Sequence, residues 1–153
     1  MSFRWSPQTS QNASAVGLGA LLLASAMKHF RTPGFYNAVV PDYLCRIDAP
    51  ENPGAVDHSG RTVNGPLAIM SREEWIAVSG LLEAALGAGL LIPATRKIAA
   101  DASAAMFVAF LAGHIDALRR AYGPDGTHAD RRIHTVRLPL QLPLILWAWS
   151  LRK

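Results

Sequence analysis

The sequence predicts an all-α membrane protein, an antiparallel four-transmembrane-helix bundle with a long loop between helices 1 and 2. Three observations predict it. Only 17% of the residues are charged while half are apolar, against about 25% charged in an ordinary soluble domain. Between Ile76 and Ile92 stand eight Leu, Ile or Val residues and a single charge, Glu83. The remaining charge is gathered in loops beside the apolar runs. A soluble four-helix bundle would carry charged outer faces on its helices, yet residues 75–92 hold one charge and residues 138–151 hold none.

The first span is expected over 13–30, after a short polar tail in which Trp5 suits the membrane interface. Its purely apolar part ends at Met27, so it crosses fully if Lys28 snorkels to the headgroups. We read it as an uncleaved span; the alternative, a signal peptide cut after Ala24-Ser25-Ala26, fits less well because the apolar stretch begins late. Ser14, Gly17, Leu21, Ser25 and Lys28 share one helical face, suited to a helix–helix contact. Pro33-Gly34 ends the helix. Residues 31–73 form a loop longer than an ordinary connection, expected to cap the bundle, lie along the membrane surface or remain partly disordered.

The second span is expected over 75–92, with Ser71 as N-cap and Glu73 and Glu74 in the first turn. The turn from Pro93 to Lys97 is short enough to force an antiparallel neighbour, the third span over 98–118. Residues 119–137 read as a polar loop. The fourth span follows over 138–151, with Trp147 and Trp149 as interface anchors. The whole of 1–153 is one domain.

Glu83 is the sharpest chemical signal. A charge at the centre of a span costs about 2.5–3.5 kcal/mol on insertion scales, and eight aliphatic residues return about as much. The helix is therefore marginal alone and needs neighbours. Glu83 shares a face with Gly80, Ala84 and Gly87, small residues suited to close helix packing, which turns it towards protein. Its plain reading is a hydrogen-bonded carboxyl between helices; its functional reading is a proton site or the seat of a quinone head. His114 shares a face with Ser103, Phe107 and Phe110, and Gln141 with Leu144, Ile145 and Ala148. Both read first as packing groups and second as ligand contacts. In an alternating bundle Lys28, His29, His114, Asp116, Arg137 and Gln141 all fall towards the long-loop side. A polar pocket opening under the first loop is expected, lined by these groups and by Glu83.

Other chemistries find little footing. One cysteine, Cys45, excludes an internal disulfide and a Cys-x-x-Cys pair. His58, His128 and His134 lack metal-ligand spacing, so no metal is expected. Gly87-x-Gly89 lies inside a span and suits helix packing, not phosphate binding. The net charge of +4 flanks apolar runs, without a nucleic-acid motif. No broken helix pair or repeat points to a transporter.

Several landmarks recur in one order. His29-Phe30 is followed by Pro33, Phe35-Tyr36 and Val39-Val40-Pro41. Next come Ser79-Gly80, Glu83, Gly87, and Gly89-Leu90-Leu91-Ile92-Pro93 with Thr95-Arg96-Lys97 and Ala99-Ala100. Arg137-Leu138-Pro139-Leu140-Gln141 closes the series. The series resembles the DoxX family of small four-helix membrane proteins. Two features depart from it: Phe110-Leu111 stands where a Phe-Pro pair is common, and residues 45–65 enlarge the first loop. The resemblance implies a four-span bundle in a cell (inner or plasma) membrane, with a protein partner or oligomer there. It also implies one of two roles: a non-catalytic subunit or scaffold for a redox or stress-response partner, or a quinone-linked subunit like that of a thiosulfate:quinone oxidoreductase. In the second, quinone is the cofactor, with Glu83 and His114 at its head. Orientation is contested. The dense charge of Arg96, Lys97, Arg152 and Lys153 puts the termini in the cytoplasm; the total count of Lys and Arg puts the long loops there. The resemblance favours cytoplasmic termini.

Overall fold

The computed structural model describes residues 6–46 and 66–152. Four long helices run through them: α1 (Pro7–Arg31), α2 (Arg72–Leu91), α3 (Arg96–Ala121) and α4 (His128–Ser150). Two 3₁₀ turns, Pro33–Val39 and Asp42–Leu44, lie between α1 and α2. We call these turns the cap. Among the described residues there is no strand; Cys45 and Met70 form one parallel bridge that closes the base of the long loop.

Three helices, α1, α2 and α3, are long and apolar enough to cross a membrane. Their outward residues include Val16, Leu81, Ile98 and Val108, each more than half exposed. Exposed aliphatic side chains on every long helix suit acyl chains, not water, and the chain is a membrane protein. The fourth helix differs from the expected span. It carries polar and basic residues in its first ten positions, then Pro139, Gln141 and Pro143 within its apolar half. These lower its hydropathy, although Leu142, Leu146 and Trp149 face outward.

Element boundaries depart from expectation where caps are present. α1 begins at Pro7, not near 13, because the Ser6 side chain accepts the Thr9 amide and Pro7 is preset for a first turn. The expected polar loop over 119–137 is short: α4 begins at His128. Thr127 and Asp130 form a reciprocal capping box, the Thr127 hydroxyl accepting the Asp130 amide at 3.1 Å and the Asp130 carboxylate accepting the Thr127 amide at 3.2 Å. The Thr-x-x-Asp spacing was visible in the sequence. Replacing Thr127 by Ala should cost about 1 kcal/mol of stability, measured by unfolding in detergent micelles. Bonds from Thr127 also hold the Asp130 carboxyl below its usual range. The stability they contribute is present above the ordinary carboxylate pKa and fades as pH falls through the lowered one. In Thr127→Ala that acid-side loss should shrink.

Packing is closest within two pairs, α1 with α2 and α3 with α4. The α1 stripe is displaced by one residue from the expected face. Ala15, Leu18, Gly19, Leu22, Ala26 and His29 are buried, whereas Leu21 and Lys28 point outward. The α1–α2 contact centres on Gly19 and Gly87. A Cβ on Gly87 would stand 3.0 Å from the Gly19 carbonyl oxygen, and one on Gly19 would stand 2.9 Å from that of Gly87. A side chain at either position forces the backbones apart. Gly87→Val should therefore destabilise the pair by about 1–2 kcal/mol through overpacking, read as a lower unfolding midpoint.

α1 and α4 meet at the end away from the cap. Trp147, expected at the membrane interface, instead turns inward and its indole N–H donates to the Ser14 hydroxyl at 2.8 Å. A Cβ on Gly17 would meet the same indole at 3.2 Å, so Gly17 makes room for the ring. Trp149 does face outward, with the Arg152 guanidinium 3.2 Å above it. Trp5 and residues 47–65, where the enlarged loop and His58 fall, lie outside the described residues.

Candidate functional site: a cavity beneath the cap

At the capped end the two helix pairs enclose a cavity of about 560 Å³, within the roughly 300–1,000 Å³ typical of small-molecule sites. His29, Glu83, His114, Arg137 and Gln141, the five candidates named from the sequence, all line it. Lys28 and Asp116 do not: Lys28 lies over the Phe35 ring and Asp116 pairs with Arg120 at 3.0 Å. Nor is the cavity polar throughout. Its walls are largely Phe107, Phe110, Leu140, Leu144 and the apolar underside of the cap, with the polar groups gathered at two poles. The expected polar groups thus share the wall with aromatic and aliphatic residues from the same helical faces.

The first pole joins α1 to α2. Gly80 sets it: a Cβ there would stand 2.7 Å from the His29 Cβ, so only glycine lets His29 close on α2. The His29 ring then places Nδ1 2.8 Å from the Ile76 carbonyl oxygen. A carbonyl only accepts, which assigns the hydrogen to Nδ1. Ser79 also donates to the Ile76 carbonyl at 2.9 Å, and its oxygen lies 3.2 Å from Nδ1. The other nitrogen, Nε2, faces Glu83 Oε1 at 3.5 Å, and both side chains are about 4–5% exposed. At that distance the two make no hydrogen bond, and Nε2 has no hydrogen-bond partner among the described residues. Glu83 Oε2 has no partner among the described residues. Of the other small α2 residues on this face, Gly87 packs against Gly19 and Leu22–Leu23 of α1 and Ala84 is half-buried.

The second pole joins α3 to α4. Gln141 Nε2 lies 2.7 Å from His114 Nε2. The remaining atoms of this pair, His114 Nδ1 and Gln141 Oε1, are buried and unpartnered among the described residues. Burial of a polar atom without a partner costs about 1–3 kcal/mol. A water or a ligand reaching this pole would have polar atoms here to pair with.

The cap forms the roof, and sequence reasoning missed most of how it is held. Tyr36 stacks on His29 with ring centroids 3.5 Å apart, and its hydroxyl donates to the Ser25 carbonyl at 3.3 Å. Burial pushes this hydroxyl above its ordinary pKa, so it stays a donor. Phe35 sits between two cations, Lys28 at 3.5 Å and Arg137 at 4.1 Å from the ring centre. Arg72 of α2 binds the Asn37 and Val40 carbonyls and the Asp42 carboxylate. Arg120 of α3 binds the Ala38 carbonyl at 2.8 Å and the same Asp42 at 3.5 Å. The Trp75 indole donates to the Leu44 carbonyl at 2.7 Å. Phe35-Tyr36 stood among the motif landmarks, but Arg72, Trp75 and Arg120 carried no local signal because their partners are 30 or more residues away in sequence. Among the described residues no group of three or more His, Cys, Asp or Glu could hold a metal.

No curated protein and no solved structure matches the chain. A family model, described as a domain of unknown function (DUF8561), matches residues 18–152, which takes in α1 from Leu18 onward, the other three long helices, both poles of the cavity and the cap. The chain belongs to that family.

Proposed function

We propose that this protein is a four-span, DoxX-like membrane subunit that holds a quinone-type ring in the cavity beneath the cap. One observation carries the reading: a largely apolar, ligand-sized cavity in a membrane protein, with unpartnered polar atoms at both ends. A quinone has the matching form, a flat apolar ring with an oxygen at each of two opposite positions. His29 with Glu83 would hold one oxygen and His114 with Gln141 the other, while Phe107 and Phe110 flank the ring. The bound group supplies two-electron, two-proton redox chemistry; the protein residues bind it, orient it and exclude water. A scaffold for a redox or stress-response partner, the other role expected from the sequence, has no need of such a volume.

The fourth span in this reading is Leu138 to Leu151, the second half of α4 and its C-cap, with Gln141 and Ala148 turned to the bundle and Leu142 and Leu146 to lipid. The termini are cytoplasmic. Cys45 is a poor reporter of this, since its thiol is half-buried, is pushed up by burial and donates to the Pro41 carbonyl. Tyr43, half exposed on the cap, is better: Tyr43→Cys in a Cys45→Ser background should react with an impermeant maleimide added to intact cells.

The test of function is direct. Protein purified in mild detergent and extracted with organic solvent should yield quinone in near-equal amount. Quinone-free protein that brings down a soluble partner would establish the scaffold role instead.

A further inference from the structure

We propose that Lys28 and Arg137, held on one Phe35 ring, bind the phosphate of an anionic phospholipid whose acyl chains run along the seam between α1 and α4. The proposal goes beyond the quinone reading and stands without it. It follows from the path of the seam and from how the charges at the capped end are met.

α1 and α4 touch at the end away from the cap, where Trp147 donates to Ser14 and Gly17 makes room for the indole. Residues three, four or seven apart share a helix face. On the same flank of α1, towards the cap, come Leu21 and then Lys28; on that of α4 come Leu140 and then Arg137. Leu21 and Leu140 are each roughly half exposed. The Lys28 ammonium lies 3.5 Å and the Arg137 guanidinium 4.1 Å from the centre of the Phe35 ring. The ring itself is exposed enough to be reached from outside. An apolar track crowned by two cations matches an acyl chain under an anionic head. Depth agrees: Lys28 follows the last residue of the apolar run in α1, and Arg137 precedes the first of that in α4, where headgroups begin.

Arg137 is set apart from its kind. Arg72, Arg96, Arg131 and Arg152 are half-buried too, and each donates to an oxygen of this chain: Val40 and Asp42, Leu90 and Asn12, Ala121 and Gly126, and Asp101. Arg137 has no such acceptor among the described residues, although its charge is permanent and its planar fork suits phosphate. The acids near this end are engaged elsewhere. Asp42 is held by Arg72 and Arg120, Asp116 pairs with Arg120, and Glu83 faces His29. The Phe35 ring offers its quadrupole to both cations, which offsets part of the charge and fixes where it sits. The last-turn carbonyls of α1 relieve Lys28 a little, but Arg137 stands in the middle of α4, away from either helix end. Two cations brought onto one ring without a carboxylate leave a place for an external anion. Lipid supplies it together with the chain that the seam accommodates.

The experiment is native mass spectrometry of the full chain, delipidated in detergent and offered equal amounts of phosphatidylglycerol and phosphatidylcholine with identical acyl chains. A cation beside an anionic lipid contributes about fivefold, so the wild type should retain phosphatidylglycerol by roughly tenfold to thirtyfold. Lys28→Gln and Arg137→Gln should each lower that ratio by about fivefold, and together bring it near one. Arg119→Gln/Arg132→Gln, which removes an exposed pair of equal charge at the same end of the bundle, should leave the ratio unchanged. Phe35→Leu keeps both charges but not the ring that gathers them, and should lower the ratio severalfold. Circular dichroism confirms folding in each case; the glutamine variants change solvent-accessible groups and carry the test if Phe35→Leu does not fold. Equal retention of the two lipids by the wild type would mean that the charges are met within the chain and would overturn the proposal. An equal fall in the Arg119/Arg132 pair would overturn it as well, showing net charge and not a site. Displacement of the retained lipid by millimolar inorganic phosphate would assign the two cations to a free anion instead.

Discussion

His29→Leu should destabilise the protein by about 1–3 kcal/mol, the cost of leaving buried polar atoms on α2 without the group that meets them. Glu83 would lose the partner that faces it at 3.5 Å, and helix packing leaves it no route to water. His29→Leu/Glu83→Leu, which removes both groups, should recover most of the loss and fall within about 1.5 kcal/mol of the wild type. The measurement is detergent-induced unfolding in bicelles followed by circular dichroism. Equal losses in the single and the double variant would show that His29 stabilises through packing on Tyr36 and Gly80, not through Glu83.

The second large effect belongs to Gly113. The α3 backbone meets the cap here, and a Cβ on Gly113 would overlap the Val39 carbonyl. Val39 belongs to the turn that roofs the cavity, so a side chain must lift the cap or push α3 away. Gly113→Val should cost about 3 kcal/mol, the upper end of overpacking. Gly113→Ala should also be destabilising, although alanine favours a helix interior by up to about 1 kcal/mol over glycine. Limited proteolysis between Thr32 and Arg46 should accelerate in both. An unchanged cleavage rate in Gly113→Val would mean that the cap does not rest on α3 in solution.

The contrast between Gly87 and Gly113 shows what could be read in the chain. Gly87 stood with Gly80 and Ala84 on the Glu83 face of a regular helix, and helical periodicity alone groups such residues. Gly113 also has small residues four positions to either side on α3, Ala109 and Ala117, yet that stripe does not name its partner. Its importance comes from a carbonyl 74 positions earlier, in a 3₁₀ turn with no periodic signal. The same distinction separates Glu83 from its partner. That a lone acid in an apolar run turns towards protein follows from the cost of exposing charge to lipid. That it meets His29, and that His29 has its Nδ1 hydrogen spoken for, depends on where α1 crosses α2.

The sequence by itself determined the apolar helices, their tight antiparallel turn at Pro93–Lys97 and the small-residue face around Glu83. Each of these is a local matter of hydropathy, helical period and turn chemistry. Tertiary structure alone decided that α1 buries a stripe one residue away from the expected face, and that Trp147 turns inward to Ser14. It also decided that Arg72 and Arg120 clamp the cap from two different helices. Such features arise from contacts between segments far apart in the chain, where the register of one helix on another selects which atoms meet.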